Sequence, residues 1–76
     1  MNTREIRAIF ELRDEDIETV AATIGERPNR VSDTINYKRL NERIREKLAR
    51  HLNLPVEKLF DQPLANQGAG QPVQRA

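Results

Sequence analysis

Ile17-Glu18-Thr19-Val20-Ala21-Ala22-Thr23-Ile24-Gly25-Glu26-Arg27-Pro28-Asn29-Arg30-Val31-Ser32-Asp33-Thr34-Ile35-Asn36 is the stretch on which the fold turns. Ile17, Val20, Ala21 and Ile24 recur at the spacing of a helix that buries one stripe. Gly25 directly after the last of them is a left-handed stop. Glu26-Arg27 is a very short connection. Pro28 pre-sets the backbone for the first turn of a new helix, where its missing N–H costs nothing. Val31 and Ile35, four apart with Thr34 beside them, predict a short, polar, amphipathic helix over about 28–36. A small Ala21 lets the two helices cross closely, and Gly25 supplies the turn conformation. Val20, Ile24 and Val31 form the wedge that fixes the angle between them. Arg27, Asn29, Ser32, Asp33 and Asn36 are left on the outer face.

Upstream, Ile6, Ile9 and Phe10 follow the same helical spacing, with Ala8 and Leu12 beside them. Thr3 is the expected N-cap of that first helix. Asp14 or Asp16 caps the second, and the run Asp14-Glu15-Asp16 suits the positive end of its dipole. Downstream, Lys38-Arg39-Leu40 links to a fourth helix capped by Asn41. Its buried stripe is Ile44, Leu48, Ala49 and Leu52, and its polar side offers Glu42–Arg45 and Glu46–Arg50 pairs. The other basic residues of that helix read mostly as a solvated face. Asn53 ends the helix. Pro55 opens a last turn whose Leu54, Val56, Leu59 and Phe60 either close the core or supply a contact to a second copy. The segment from Gln62 to Ala76 carries two prolines, two glycines and four glutamines with almost no apolar clustering. Such a composition cannot offset its ordering entropy, so residues 61–76 read as a disordered tail behind one domain over 3–60.

The bulk properties agree with a small helical domain. A chain of 76 residues without cysteine must be held by packing alone, with no disulfide and no cysteine-based zinc site. It carries no signal-peptide pattern and no apolar stretch near the ~20 residues of a membrane span, which predicts a soluble, cytoplasmic protein. The net charge is +1, but it is unevenly spread. Residues 1–26 hold three Arg against seven acids, residues 27–50 eight basic residues against three acids, and the rest two against two. The basic middle third is where a polyanion would dock.

The Ala21-x3-Gly25-x5-Val31 spacing, the order of five helices and the ending Leu54-Pro55-Val56-Glu57-Lys58-Leu59-Phe60 together resemble the helix-turn-helix regulators of the lambda repressor and Cro class. The run from Arg39 to Phe60 is similar to small phage and prophage regulators, including the Ner-like group. The resemblance covers roughly residues 3–60. Three positions depart from the class pattern. Glu26 stands where an apolar residue usually follows the turn glycine, Thr34 where an aliphatic is usual, and Tyr37 where a glycine is common.

The resemblance implies an all-α, lambda-repressor-like domain whose third helix enters the major groove of double-stranded DNA. Arg27, Asn29, Ser32, Asp33 and Asn36 are then the base-reading candidates. Arginine pairs with guanine, asparagine with adenine, and Asp33 can accept from cytosine. Arg30, Tyr37, Lys38, Arg39 and Arg43 are the phosphate-contact candidates. It also implies a transcriptional regulator, a repressor by occlusion, in a bacterial or phage-infected cell. Two copies would sit on a pseudo-palindromic operator about one helical turn apart. No cofactor, metal, membrane or small-molecule substrate is implied.

Blander readings stand beside these. Arg27 can pair with Glu26 or Asp33, Asp33 can orient Arg30 or Arg27, and Asn36 can be only a helix cap. Asn29 and Ser32 can be ordinary solvated residues, and Tyr37 can pack its ring against the core rim and lend only its hydroxyl to a phosphate. His51, alone and beside Leu52, reads as structural. An enzyme is not expected, for want of a phosphate loop, a nucleophile set or a metal-ligand spacing. The rival readings are a protein-interaction module on the same fold and an antitoxin that binds both operator and toxin, the latter through the segment after Asp61.

Overall fold

A computed structural model describes residues 1–65. In order these form α1 (Thr3–Leu12), α2 (Ile17–Ile24), α3 (Pro28–Ile35), α4 (Glu42–Leu52) and α5 (Val56–Leu59), and no strand occurs among the described residues. The all-helical class expected from periodicity is therefore present, with the helices in the expected order.

Each helix start has an identifiable cause. Asp16 accepts from the Thr19 N–H at 2.8 Å, and Asn41 from the Ile44 N–H at 3.1 Å. At α1 the cap is Asn2, one residue before the expected Thr3. Asn2 accepts from the Glu5 N–H while the Glu5 carboxylate accepts from the Asn2 N–H, both at 2.8 Å, which is a reciprocal capping box. Thr3 is thereby free to donate its hydroxyl to the Ile35 carbonyl at 2.7 Å, tying α1 to the end of α3.

The first four helices stop by one device. After each, a residue with positive φ turns the chain: Asp14 (57°), Gly25 (74°), Tyr37 (60°) and Asn53 (59°). Its own N–H and the next one then reach back to carbonyls the helix leaves open. At Gly25 the bonds run to Ala22 (3.3 Å) and from Glu26 to Ala21 (2.9 Å); at Tyr37 they run to Thr34 (3.2 Å) and from Lys38 to Asp33 (2.9 Å). Asp and Asn tolerate this conformation and Gly adopts it freely, but for Tyr37 it is strained.

What holds Tyr37 there is the core. Its side chain is buried, and its hydroxyl donates toward the carbonyls of Met1 and Leu59. Its ring meets Phe60 edge-on, with centroids 6.0 Å apart. The Arg45 guanidinium lies 5.0 Å from the Phe60 centroid and 5.7 Å from that of Tyr37, a cation–π arrangement in place of the expected solvated arginine.

The core joins Ile6 and Phe10 of α1, Val20 and Ala21 of α2, Val31 and Ile35 of α3, and Ile44, Leu48, Ala49 and Leu52 of α4, closed by Leu59 and Phe60. Each fully buried aliphatic contributes roughly 1.5–3 kcal/mol relative to exposure. The wedge forms as the spacing implied: Val20, Ala21 and Val31 are fully buried, Ile24 packs on them partly buried, and α2 lies against α3. Leu59 and Phe60 are spent on the core rather than left for a second copy. Leu12, in contrast, is exposed at the end of α1.

Neither Glu42–Arg45 nor Glu46–Arg50 is among the ion pairs of the described residues. Glu15 instead accepts from Arg13 at 2.8 Å and faces His51 Nε2 at 3.0 Å, fastening the α1–α2 connection to α4. The expected disordered tail begins at Asp61, yet its first residues return toward the body. Leu64 is half-buried, and the Ala65 N–H donates to the Tyr37 carbonyl at 2.6 Å. The rest of that expectation, residues 66–76, lies outside the described residues. Among those described, no helix is long and apolar enough to cross a membrane.

Candidate nucleic-acid interface

α3 is attached by its inner side and open on its outer one. Val31, Thr34 and Ile35 point into the core, and the Thr34 hydroxyl is satisfied within the helix by the Arg30 carbonyl at 2.8 Å. A buried threonine can therefore stand where an aliphatic would, because its polar atom has a partner. Opposite this stripe, positions 29, 33 and 36 fall on one line by the helical period, with Ser32 and Arg30 on its flanks. Asn29 and Arg30 are exposed, and Ser32, Asp33 and Asn36 are half-buried. Arg27, the residue before the helix, is also exposed. The first turn of α3 contains no acid, so its positive end has no carboxylate of its own helix to satisfy it.

A shallow cleft beside this line is bounded by Asn29, Arg30, Asp33, Thr34, Arg39 and Asn41. Four of the sequence-predicted site residues thus share one surface, where α3 faces the start of α4. Asp33 pairs with Arg39 at 3.6 Å, rather than with the expected Arg30 or Arg27. Both partners are substantially exposed, so the contact is loose. Arg27, Arg30 and Lys38 form no ion pair among the described residues. Together with Arg39 they make a cationic rim along both ends of α3.

Three predicted residues are placed differently from expectation. Tyr37 is not on the rim: it is 4% exposed, its hydroxyl is committed to backbone carbonyls, and burial pushes its phenol pKa up. Its hydroxyl is therefore not presented to a phosphate, contrary to the expectation for this residue. Arg43 is exposed but engaged, with Nε 2.9 Å and Nη2 3.2 Å from the two oxygens of Glu26. Asn36 has both ends of its amide occupied: its Nδ2 donates to Ser32 Oγ at 3.3 Å, and its Oδ1 accepts from Arg7 Nη2 at 3.5 Å. It is also the C-cap of α3.

Glu26 resolves the other departure in the turn. Its side chain is only 8% exposed, in the position where an apolar residue was the norm, and Lys47 Nζ joins Arg43 on it at 2.7 Å. The hydrogen bonds from Arg43, then that from Lys47, hold the Glu26 carboxyl down to about 2. A charged, doubly paired carboxylate thus fastens the turn to α4.

Two neighbours of the face escaped the sequence reading. Arg7 comes from α1 and meets Asn36 at the far end of α3, and Asn41 lines the cleft while capping α4. The signal for the first was Arg7's place three residues before Phe10, on the flank of the buried stripe of α1.

The outer side of α3 is thus a short helical surface that presents the Asn29 amide and the Asp33 carboxylate among exposed cations. It has the chemistry to meet a polyanion whose interior edges donate and accept hydrogen bonds. No family model, curated protein or solved structure matches this chain.

Proposed function

We propose that this chain is a sequence-specific double-stranded DNA-binding protein with a lambda-repressor-like helix-turn-helix domain. It acts as a transcriptional regulator of phage or mobile-element type. α3 enters the major groove. Asn29 and Arg27, nearest its N-terminal end, read base edges, with Ser32 and Asp33 behind them. Arg30, Lys38 and Arg39 take phosphates, and Asn36 positions its neighbours at the far end. A repressor that occludes a promoter, with two copies on a pseudo-palindromic site, follows from the same reading.

The observation that carries it is the combination on α3. An amphipathic helix is wedged on α2 through Val20, Ala21 and Val31, and turns Asn29, Arg30 and Asp33 outward between free cations. Groups of this kind discriminate bases by roughly 1–3 kcal/mol per good bidentate pair, while phosphate contacts add affinity for every sequence.

The test is selection of random duplexes by the purified protein, followed by titration of the selected and an unrelated duplex over a salt series. The expected result is preference for one sequence with steep salt dependence. Failure to bind any duplex would overturn the reading and favour a protein-interaction module.

A further inference from the structure

We infer that Glu26 is an affinity-limiting residue, withholding Arg43 and Lys47 from nucleic-acid phosphate. The inference rests on the duplex-binding reading above. Glu26 immediately precedes Arg27, the N-cap of α3, and Arg43 lies two residues beyond Asn41, which lines the cleft. Arg43 therefore sits at the edge of the proposed interface, and Lys47 lies one helical turn further along α4, beside Thr23 and Ile24. The Arg43 side chain is 62% exposed and so within reach of an incoming backbone, yet its fork is closed on a carboxylate by two hydrogen bonds.

The contrast with the neighbouring charges makes the case. Arg27, Arg30 and Lys38 have no carboxylate partner among the described residues, and Arg39 has only the loose contact to Asp33. The cations nearest the polar line of α3 are free, whereas those one step away are neutralised by a carboxylate shielded from water. Such a carboxylate is a poor candidate for displacement, because leaving it unpaired and nearly buried would be costly.

Phosphate contacts strengthen binding to all duplexes alike, whereas base contacts favour one. Removing cations from the phosphate count lowers affinity for every duplex alike, without touching the side chains that read bases. Glu26 therefore limits affinity while locking the turn to α4. Arg43, a phosphate contact by sequence, is here assigned the opposite role.

The experiment measures binding against salt concentration for the wild-type chain, Glu26→Gln and Arg43→Gln, on a selected and an unrelated duplex. Thermal unfolding of each variant is followed in parallel. Glu26→Gln is expected to steepen the logarithmic salt slope by about one to two, because each released cation adds roughly 0.9. Between 50 and 200 mM salt that is an additional loss of about 3- to 12-fold. Affinity for both duplexes should rise by a similar factor, leaving the preference between them unchanged. Arg43→Gln should leave the wild-type slope unchanged, and so should Lys47→Gln, which carries the test if Glu26→Gln does not fold. A folded Glu26→Gln with the wild-type slope overturns the inference and leaves the proposed function standing. Flattening by about 0.9 in Arg43→Gln does the same, since Arg43 would already be on a phosphate. A wild-type chain that binds neither duplex overturns both.

Discussion

On the inner side of α3, Val31 and Ile35 are fully buried and Thr34 has its hydroxyl tied to the helix itself. On the outer side, Asn29 and Arg30 are open to solvent and Asp33 is held only by a contact at 3.6 Å. Eight residues thus present two unlike sides, one packed into the core and one polar and open to solvent. The inner side is over-determined: shape, volume and polar satisfaction all agree. The outer side makes few contacts within the chain, and it is the side that the proposed function assigns to DNA.

The largest effects are expected on the inner side. Ile35→Ala removes buried methyl groups where α1 and α3 meet, and is expected to destabilise the fold by about 2–5 kcal/mol in equilibrium denaturation. A loss below about 1 kcal/mol would show the inner side to be loosely packed. On the outside, Asn29→Ala should leave stability within about 0.5 kcal/mol while removing roughly 1–3 kcal/mol of base discrimination. Competition between duplexes differing at single positions reads that loss. If stability falls and discrimination persists, the two sides have been assigned the wrong way round.

Smaller effects sharpen the boundary between the sides. Tyr37→Phe removes a hydroxyl donor beneath the rim and should cost about 1 kcal/mol of stability. Its duplex affinity, compared at a temperature where both proteins are folded, should not change. A selective loss of duplex binding would restore Tyr37 to the interface. Lys38→Ala, one residue on, should do the reverse: stability is kept and the salt slope flattens by about 0.9 for every sequence.

Acid supplies the gentlest test. The folded-state pKa of Glu26 is lowered from the ordinary 4.5 to about 2. Its contribution to stability is therefore present above the unfolded value and lost as pH falls through that window. Glu15, through its hydrogen bond from Arg13, and Asp16, through the Thr19 backbone N–H, shift in the same direction. Stability should decline on acidification below about pH 4.5, and Glu26→Gln should flatten part of that decline. An unchanged profile in Glu26→Gln would mean the carboxylate is not paired in solution.

Local chemistry explains what was legible in the sequence. Asp16, Gly25, Pro28, Asn41 and Asn53 each act within three residues of themselves, so the helix boundaries could be read from residue type. Asn2 and Thr3 are both good caps, and only Glu5, three residues after Asn2, favours the first. The features that escaped are long-range. Glu26 lies seventeen residues from Arg43 and twenty-one from Lys47, and Arg45 finds its rings only after the chain has turned at Tyr37. Charge runs announce that such pairs exist without saying which form. For the site, the outer line of α3 was visible from periodicity alone. The burial of Tyr37 was marked only indirectly, by its standing where the class commonly has a glycine, the residue that adopts a positive φ freely.

The most direct measurement is a map of backbone amide chemical-shift changes in labelled protein as the selected duplex is added. The expected result is a contiguous set of changes over Arg27 to Asp33 and Lys38 to Arg39, with Val20, Leu48 and Leu59 little affected. Changes confined to α5 or the outer side of α1, with α3 silent, would contradict the assignment of α3 as the element that reads DNA.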